Sequence, residues 1–188
     1  MIATARGRYR ILLGMAAGVG KTYRMLQEGR QAIDEGRDVV IGYLEPHDRP
    51  ETIALARGIE VVPHFRAAHG GLELNEMDTD AVIRRAPVLA LVDELAHTNA
   101  PGMRNEKRYQ DIEEVLDAGI DVISTVNVQH LESLNDEVFE LTGVRVRETF
   151  PDRILEEADE VVLVDLTPEA LQDRLRAGKV YKGDRAEA

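Results

Sequence analysis

The sequence predicts an α/β fold, a mainly parallel sheet flanked by helices, and three observations carry that expectation. Short apolar runs recur along the 188 residues, helical patterns lie between them, and the glycine- and carboxylate-bearing motifs fall just beyond the ends of those runs. Strands alternating with helices imply right-handed crossovers, and sheets of that kind bind ligands in a crevice at the carboxyl ends of their strands.

Taken in order, Tyr9–Gly14 reads as a short buried strand, and Thr22–Glu35 as a helix with Met25, Leu26, Gly29 and Ile33 on one face and Gly36 as its stop. The runs Val39–Leu44, Val88–Val92, Ile120–Thr125 and Val161–Leu166 are each short enough to be strands covered on both faces. Glu106–Ala118 spaces Tyr109, Ile112 and Leu116 along one helical face before Gly119, and Leu131–Thr142 does the same with Leu131, Leu134, Val138 and Leu141 before Gly143. Thr167-Pro168 pairs a capping residue with the proline favoured at a first helical position, which predicts a final helix. His64–Met77 is polar and glycine-containing, a loop or small hairpin insertion, and residues 180–188 read as a mobile tail. Residues 1–188 are therefore expected to form a single domain.

A net charge of −12 makes duplex nucleic acid and anionic membrane surfaces poor partners, because both need a basic face. The absence of cysteine excludes disulfides, thiolate metal sites and cysteine nucleophiles. No run approaches the roughly 18–20 apolar residues of a membrane span, and Met1–Arg10 lacks the apolar middle of a secretory signal, so a cytoplasmic chain without membrane insertion is expected.

Gly14-Met15-Ala16-Ala17-Gly18-Val19-Gly20-Lys21-Thr22 lies between the first strand and the first helix. There Gly18 and Gly20 would let backbone N–H groups turn around phosphates while the helix N-terminus adds its positive dipole. Val19 sits inside that loop, Lys21 would reach the β- and γ-phosphates, and the Thr22 hydroxyl would ligate magnesium. Gly14 stands one place earlier than the first glycine of the usual phosphate-loop spacing, leaving Met15 there. The context makes the fold P-loop NTPase-like and the chain a nucleotide-binding domain.

Val88–Val92 ends in Asp93-Glu94, an apolar strand running into two carboxylates. Asp93 would hold magnesium and Glu94 would orient an attacking water or a substrate hydroxyl, the catalytic candidate of this chain; the same pair also suits a helix cap. His97, Thr98 and Asn99 follow, suited either to sensing a γ-phosphate or to loop hydrogen bonding. Arg104 or Arg108 would close over a triphosphate or act on a neighbouring subunit, or else sit at a solvated helix entrance. Gln129 would position water, whereas Asn127 and His130 suit turn and cap roles equally, and no metal-ligand spacing links the histidines. Glu45–Pro50 suits nucleotide selectivity or proline-rich turn chemistry.

These residues resemble a known family, the amino-terminal cytoplasmic domain of KdpD-type potassium-responsive sensor histidine kinases. The resemblance runs from Gly7 to Tyr181 and is most specific at Gly18–Thr22, Leu91–Gly102, Lys107–Asp111 and Asn127–Asp136, with Thr142–Thr149 also similar. It departs at Met15, where the family usually has a small residue, and at Ala17, where proline is common. The resemblance implies an ATP-binding regulatory domain with magnesium, ordinarily joined to a universal-stress-like domain, four membrane helices and a histidine kinase core. Its partners would be the remaining domains of that membrane-bound kinase, and the chain is expected to be an excised domain. Two other readings stand beside it: a P-loop ATPase or kinase with turnover of its own, and a nucleotide-insensitive interaction module.

Overall fold

The computed structural model describes residues 5–45, 50–69, 71–166, 170, 172–173 and 176–177. The expected helix at Thr167-Pro168, the tail 180–188 and the centre of the Glu45–Pro50 segment lie outside the described residues.

Strand β1 (Tyr9–Gly14) leads through the glycine-rich loop into helix α1 (Lys21–Asp34), and β2 (Val39–Tyr43), α2 (Pro50–Ala56) and β3 (Glu60–Val61) follow. An antiparallel hairpin of β4 (Phe65–His69) and β5 (Leu72–Glu76) precedes α3 (Thr79–Arg85) and β6 (Leu89–Val92). Then come α4 (Arg108–Asp117), β7 (Asp121–Asn127), two 3-10 turns at Val128–His130 and Glu132–Leu134, α5 (Asn135–Thr142), α6 (Arg153–Glu156) and β8 (Glu160–Val164). Six strands form one parallel sheet in the order β3-β2-β6-β7-β1-β8, so β7 is interposed between β1 and β6. The fold is thus α/β, a parallel sheet flanked by helices.

Side chains alternate across the sheet, as the two-residue period of a strand requires. Tyr9 and Ile11 of β1 join Val115, Leu116 and Ile154 on one face, while Leu12 joins Met25, Leu26 and Leu91 on the other. Every residue of β2 and β6 is buried, which explains why these strands read as continuous apolar runs rather than alternating ones. Among the described residues no helix is long and apolar enough to cross a membrane.

Two predicted helices are altered. Leu131–Thr142 is not continuous, because Leu131 adopts an extended backbone (φ −70°, ψ 126°) and bridges to Phe150, splitting the segment into a 3-10 turn and α5. Its expected apolar stripe is not buried either: α5 contributes no buried residue and Leu141 is 86% exposed. Helix α4 starts two residues later than expected, since Lys107 is extended, bridges to Thr98 and donates its N–H to the Gln110 side chain at 2.9 Å. Helix α3 has no counterpart among the expected elements, although Asp78 caps it by accepting from the Ala81 N–H at 2.8 Å.

Gly29 lets α1 press against β6: a Cβ at this position would stand 2.5 Å from Leu91 Cδ1. Helix propensity alone favours Gly29→Ala by about 1 kcal/mol, but overpacking a filled core costs about 1–3 kcal/mol. Since Leu91 is fully buried, the steric effect is expected to win, and Gly29→Ala should lower the urea midpoint of unfolding. A raised midpoint would show that the helix–sheet contact has slack.

Candidate functional site

The loop from Met15 to Gly20 turns at the carboxyl end of β1 through two left-handed glycines, Gly18 (φ 79°) and Gly20 (φ 100°), the latter capping α1. Side chains with a Cβ are strained in that region, so the turn depends on glycine at both positions. Gly14 is needed for space instead, since a Cβ there would meet Lys21 Cδ at 2.7 Å and Val19 Cγ2 at 2.8 Å. Its displaced place in the motif leaves room for Lys21 to fold back, with its ammonium donating to Asn127 and 3.4 Å from the Ala16 carbonyl. Met15 is half exposed and Val19 is buried in the core under α1.

A cavity of about 340 Å³ opens over this loop. Ala17, Gly18, Gly20, Lys21 and Thr22 form one wall, Asp93, Glu94, Ala96 and His97 come from beyond β6, and Thr125, Val126 and Asn127 come from β7, with His130 and Glu148 completing it. The convergence follows from sheet order, because the carboxyl ends of β1, β7 and β6 lie side by side.

Asp93 is fully buried at the centre. The Thr22 hydroxyl lies 3.1 Å from both of its carboxylate oxygens, the Thr125 hydroxyl donates to Oδ1, and the Glu45 N–H approaches Oδ2 at 3.4 Å. These donors are all neutral, so they stabilise the carboxylate without cancelling its charge, and the site presents negative charge and hard oxygen atoms. That donor set fits magnesium, which takes one or two protein oxygens and completes its shell with water and phosphate.

Glu94 occupies a left-handed backbone position (φ 57°), uncommon for a residue other than glycine. Its N–H donates to Thr125 Oγ1 at 3.0 Å, so one threonine hydroxyl bridges both carboxylate residues at this strand end. Burial, followed by the neighbouring charges of Asp93 and Glu45, pushes the Glu94 carboxyl up to about 7.

His97 lies between two carboxylates, with Nε2 at 3.1 Å from Glu76 and Nδ1 at 3.7 Å from Glu148. Glu76 is buried at the end of the hairpin. Burial raises its pKa, but the His97 hydrogen bond and charge, the Ala100 N–H at 2.9 Å and the Arg108 charge outweigh that, holding it below the ordinary carboxylate range.

Arg108 is neither a solvated cation at a helix entrance nor placed to reach over a triphosphate or a neighbouring subunit, which corrects the sequence expectations for it. It is fully buried, its guanidinium 3.6 Å from the centre of the Tyr43 ring, bonded to Glu76 at 3.3 Å and to the Asp93 carbonyl at 3.2 Å. Arg104 points elsewhere, pairing with Asp80 at 3.0 Å and Glu114 at 2.6 Å. Asn99 is buried and spends its amide on the Asn105 carbonyl and Asp111. Gln129 is half-buried and is not among the residues lining the cavity.

Sequence reasoning does not single out Thr125, Glu76 or Glu148. The first hides inside an apolar strand, and the other two are distant in sequence from the motifs they serve.

Comparison with known proteins identifies the family of the chain. The family described as "Osmosensitive K+ channel His kinase sensor domain" (KdpD) matches residues 5–188. A KdpD sensor-protein relative of Synechocystis sp. is 62% identical over 96% of this chain. Sensor protein KdpD of Escherichia coli K12 is 53% identical over 98% of it, and the protein of the same name in Mycobacterium tuberculosis H37Rv is 52% identical over 100%. The chain spans 49% of the Synechocystis relative's length, and 21% and 22% of the other two. The match over residues 5–188 places the chain in the KdpD family of osmosensitive K+ channel histidine kinase sensor domains.

Proposed function

We propose that this domain binds ATP with magnesium and that the bound nucleotide modulates signalling by a potassium-responsive two-component sensor kinase to which it is attached. The observation that carries the reading is the convergence of Lys21, Thr22 and Asp93 on one cavity at the carboxyl ends of three parallel strands. Gly18, Val19 and Gly20 would wrap the phosphates, Lys21 would exchange its Asn127 contact for a phosphate oxygen, and Thr22 with Asp93 would hold the metal. The metal would supply charge neutralisation for the β- and γ-phosphates.

Glu94 favours a second reading, in which the domain hydrolyses its nucleotide, because a carboxyl with a pKa near 7 on the cavity wall suits proton transfer. Efficient hydrolysis by this chain alone is not expected, since among the described residues no arginine lines the cavity. Cationic completion of the site would then come from another domain or subunit, as phosphoryl transfer commonly requires.

Calorimetric titration tests the binding reading. Losing a charge-assisted phosphate contact costs about 1.5–3 kcal/mol, so Lys21→Ala should weaken ATP binding at least about tenfold. Asp93→Asn should weaken binding with magnesium more than binding in chelator. Unchanged affinity in a folded Lys21→Ala protein would sink the phosphate-loop assignment.

The Glu94 pKa gives a second test, with a definite sign. Because the folded protein holds this proton up to about pH 7 and the unfolded chain releases it near the ordinary carboxylate value, stability contributed by the protonated form is lost as pH rises through that window. Glu94→Gln keeps a neutral side chain at every pH and should raise the stability of the nucleotide-free protein at pH 8 by about 1–3 kcal/mol, with a much smaller effect at pH 5. Equal effects at the two pH values, read from urea midpoints, would show that Glu94 titrates normally.

A further inference from the structure

We propose that His130 is a specificity-determining residue that reads the terminal phosphate of the bound nucleotide. The inference rests on the nucleotide reading above and deepens it.

Residues 128–149 leave the sheet at the end of β7 and form an excursion that closes on itself where Phe150 bridges to Leu131. Its neck is tightly built: the Phe150 N–H donates to the His130 carbonyl at 2.9 Å, the Glu132 N–H donates to the Phe150 carbonyl at 3.0 Å, and Phe150 is buried. Its outer part lies at the surface, since α5 contributes no buried residue. The neck therefore holds the backbone of His130 in place at a cavity that Lys21 and Thr22 also line.

The imidazole is also fixed in its chemistry. Its Nδ1 lies 2.7 Å from the Glu148 carbonyl oxygen, which can only accept, so Nδ1 carries a proton and Nε2 remains as the ring's second site. In the imidazolium both nitrogens donate, and the Glu148 carbonyl suits that form as well as it suits the neutral one. The charged groups sharing the cavity are Asp93, Glu94 and Glu148 against Lys21, with His97 beside Glu148. As the imidazolium, His130 would donate from Nε2 to a terminal phosphate oxygen. A diphosphate lacks that group and gains nothing from His130.

The ratio of ATP to ADP affinity tests this, measured by calorimetry with magnesium on the full chain and on His130→Leu, which keeps bulk and removes both ring nitrogens. We expect ATP affinity to fall at least about tenfold, as for a charge-assisted hydrogen bond, with ADP affinity unchanged. His130→Asn, which retains an N–H for the Glu148 carbonyl, carries the same comparison if leucine disturbs the turn. A purely structural role would weaken both nucleotides alike, and that result, or no change in either, would overturn the proposal. If the unaltered chain binds neither nucleotide, the phosphate-loop reading falls and this inference falls with it; loss of the ratio effect alone leaves that reading standing.

Discussion

The buried carboxylate of Asp93 is the constraint around which the rest of the site is arranged. It ends β6, takes the hydroxyl of Thr22 at the start of α1 and the hydroxyl of Thr125 in β7, and so ties three separate elements at one point. A buried ion is costly unless it is hydrogen-bonded, and here the bonds come from uncharged groups. The hydroxyls of Thr22 and Thr125 and the Glu45 N–H meet that cost, and none of these is a cationic group. Were a cationic side chain packed against it, the same residue would be a structural ion pair with little left to offer a metal.

Glu76 is the contrasting case a few residues away in space. It too is buried, but its partners are the Arg108 guanidinium, the His97 ring and the Ala100 N–H, so its charge is answered locally. Breaking one partner of such a pair is far more damaging than the pair is stabilising, because it strands the other charge in a dry interior. Arg108 also donates to the Asp93 carbonyl and covers Tyr43, so the hairpin, the end of β2 and the end of β6 share one cation. Two buried carboxylates thus divide the work: one holds the loops in place, and the other is held in place by them.

Much of this is legible in the sequence, and the reasons differ by element. The long strands β1, β2, β6 and β7 and helix α1 announce themselves because burial in the sheet produces apolar runs and one-sided burial a helical stripe; β8 reads as a strand too, but it is an edge strand with Val161 40% and Leu163 56% exposed, not covered on both faces as its apolar run suggests. Gly18, Gly20, Lys21 and Thr22 stand out because the turn they form is local: its parts are contiguous, and its shape depends only on the strand and helix that flank it. Arg108 misleads, since nothing local distinguishes a buried cation from a solvated one; its burial depends on Tyr43 and Glu76, supplied by β2 and by the hairpin. The α5 stripe fails for the opposite reason, because apolar periodicity states what a helix is able to bury and says nothing of whether a neighbour is there.

Sheet order is the missing variable behind the overlooked site residues. Nothing in the sequence says that β7 inserts between β1 and β6, yet that insertion carries Thr125 to Asp93 and Asn127 to Lys21. It also decides what the next residues do. A chain leaving β7 at this point emerges between the loop that begins α1 and the strand end that bears Asp93 and Glu94, so the turn at Val128–His130 is delivered to the cavity wall. Glu148 returns to the same place because Phe150 pairs with Leu131, and its carboxylate then accepts the Thr98 N–H at 2.9 Å, closing the excursion against the segment that follows β6. Residues that look like ordinary turn and cap positions one at a time become neighbours of the glycine-rich loop through a single topological choice.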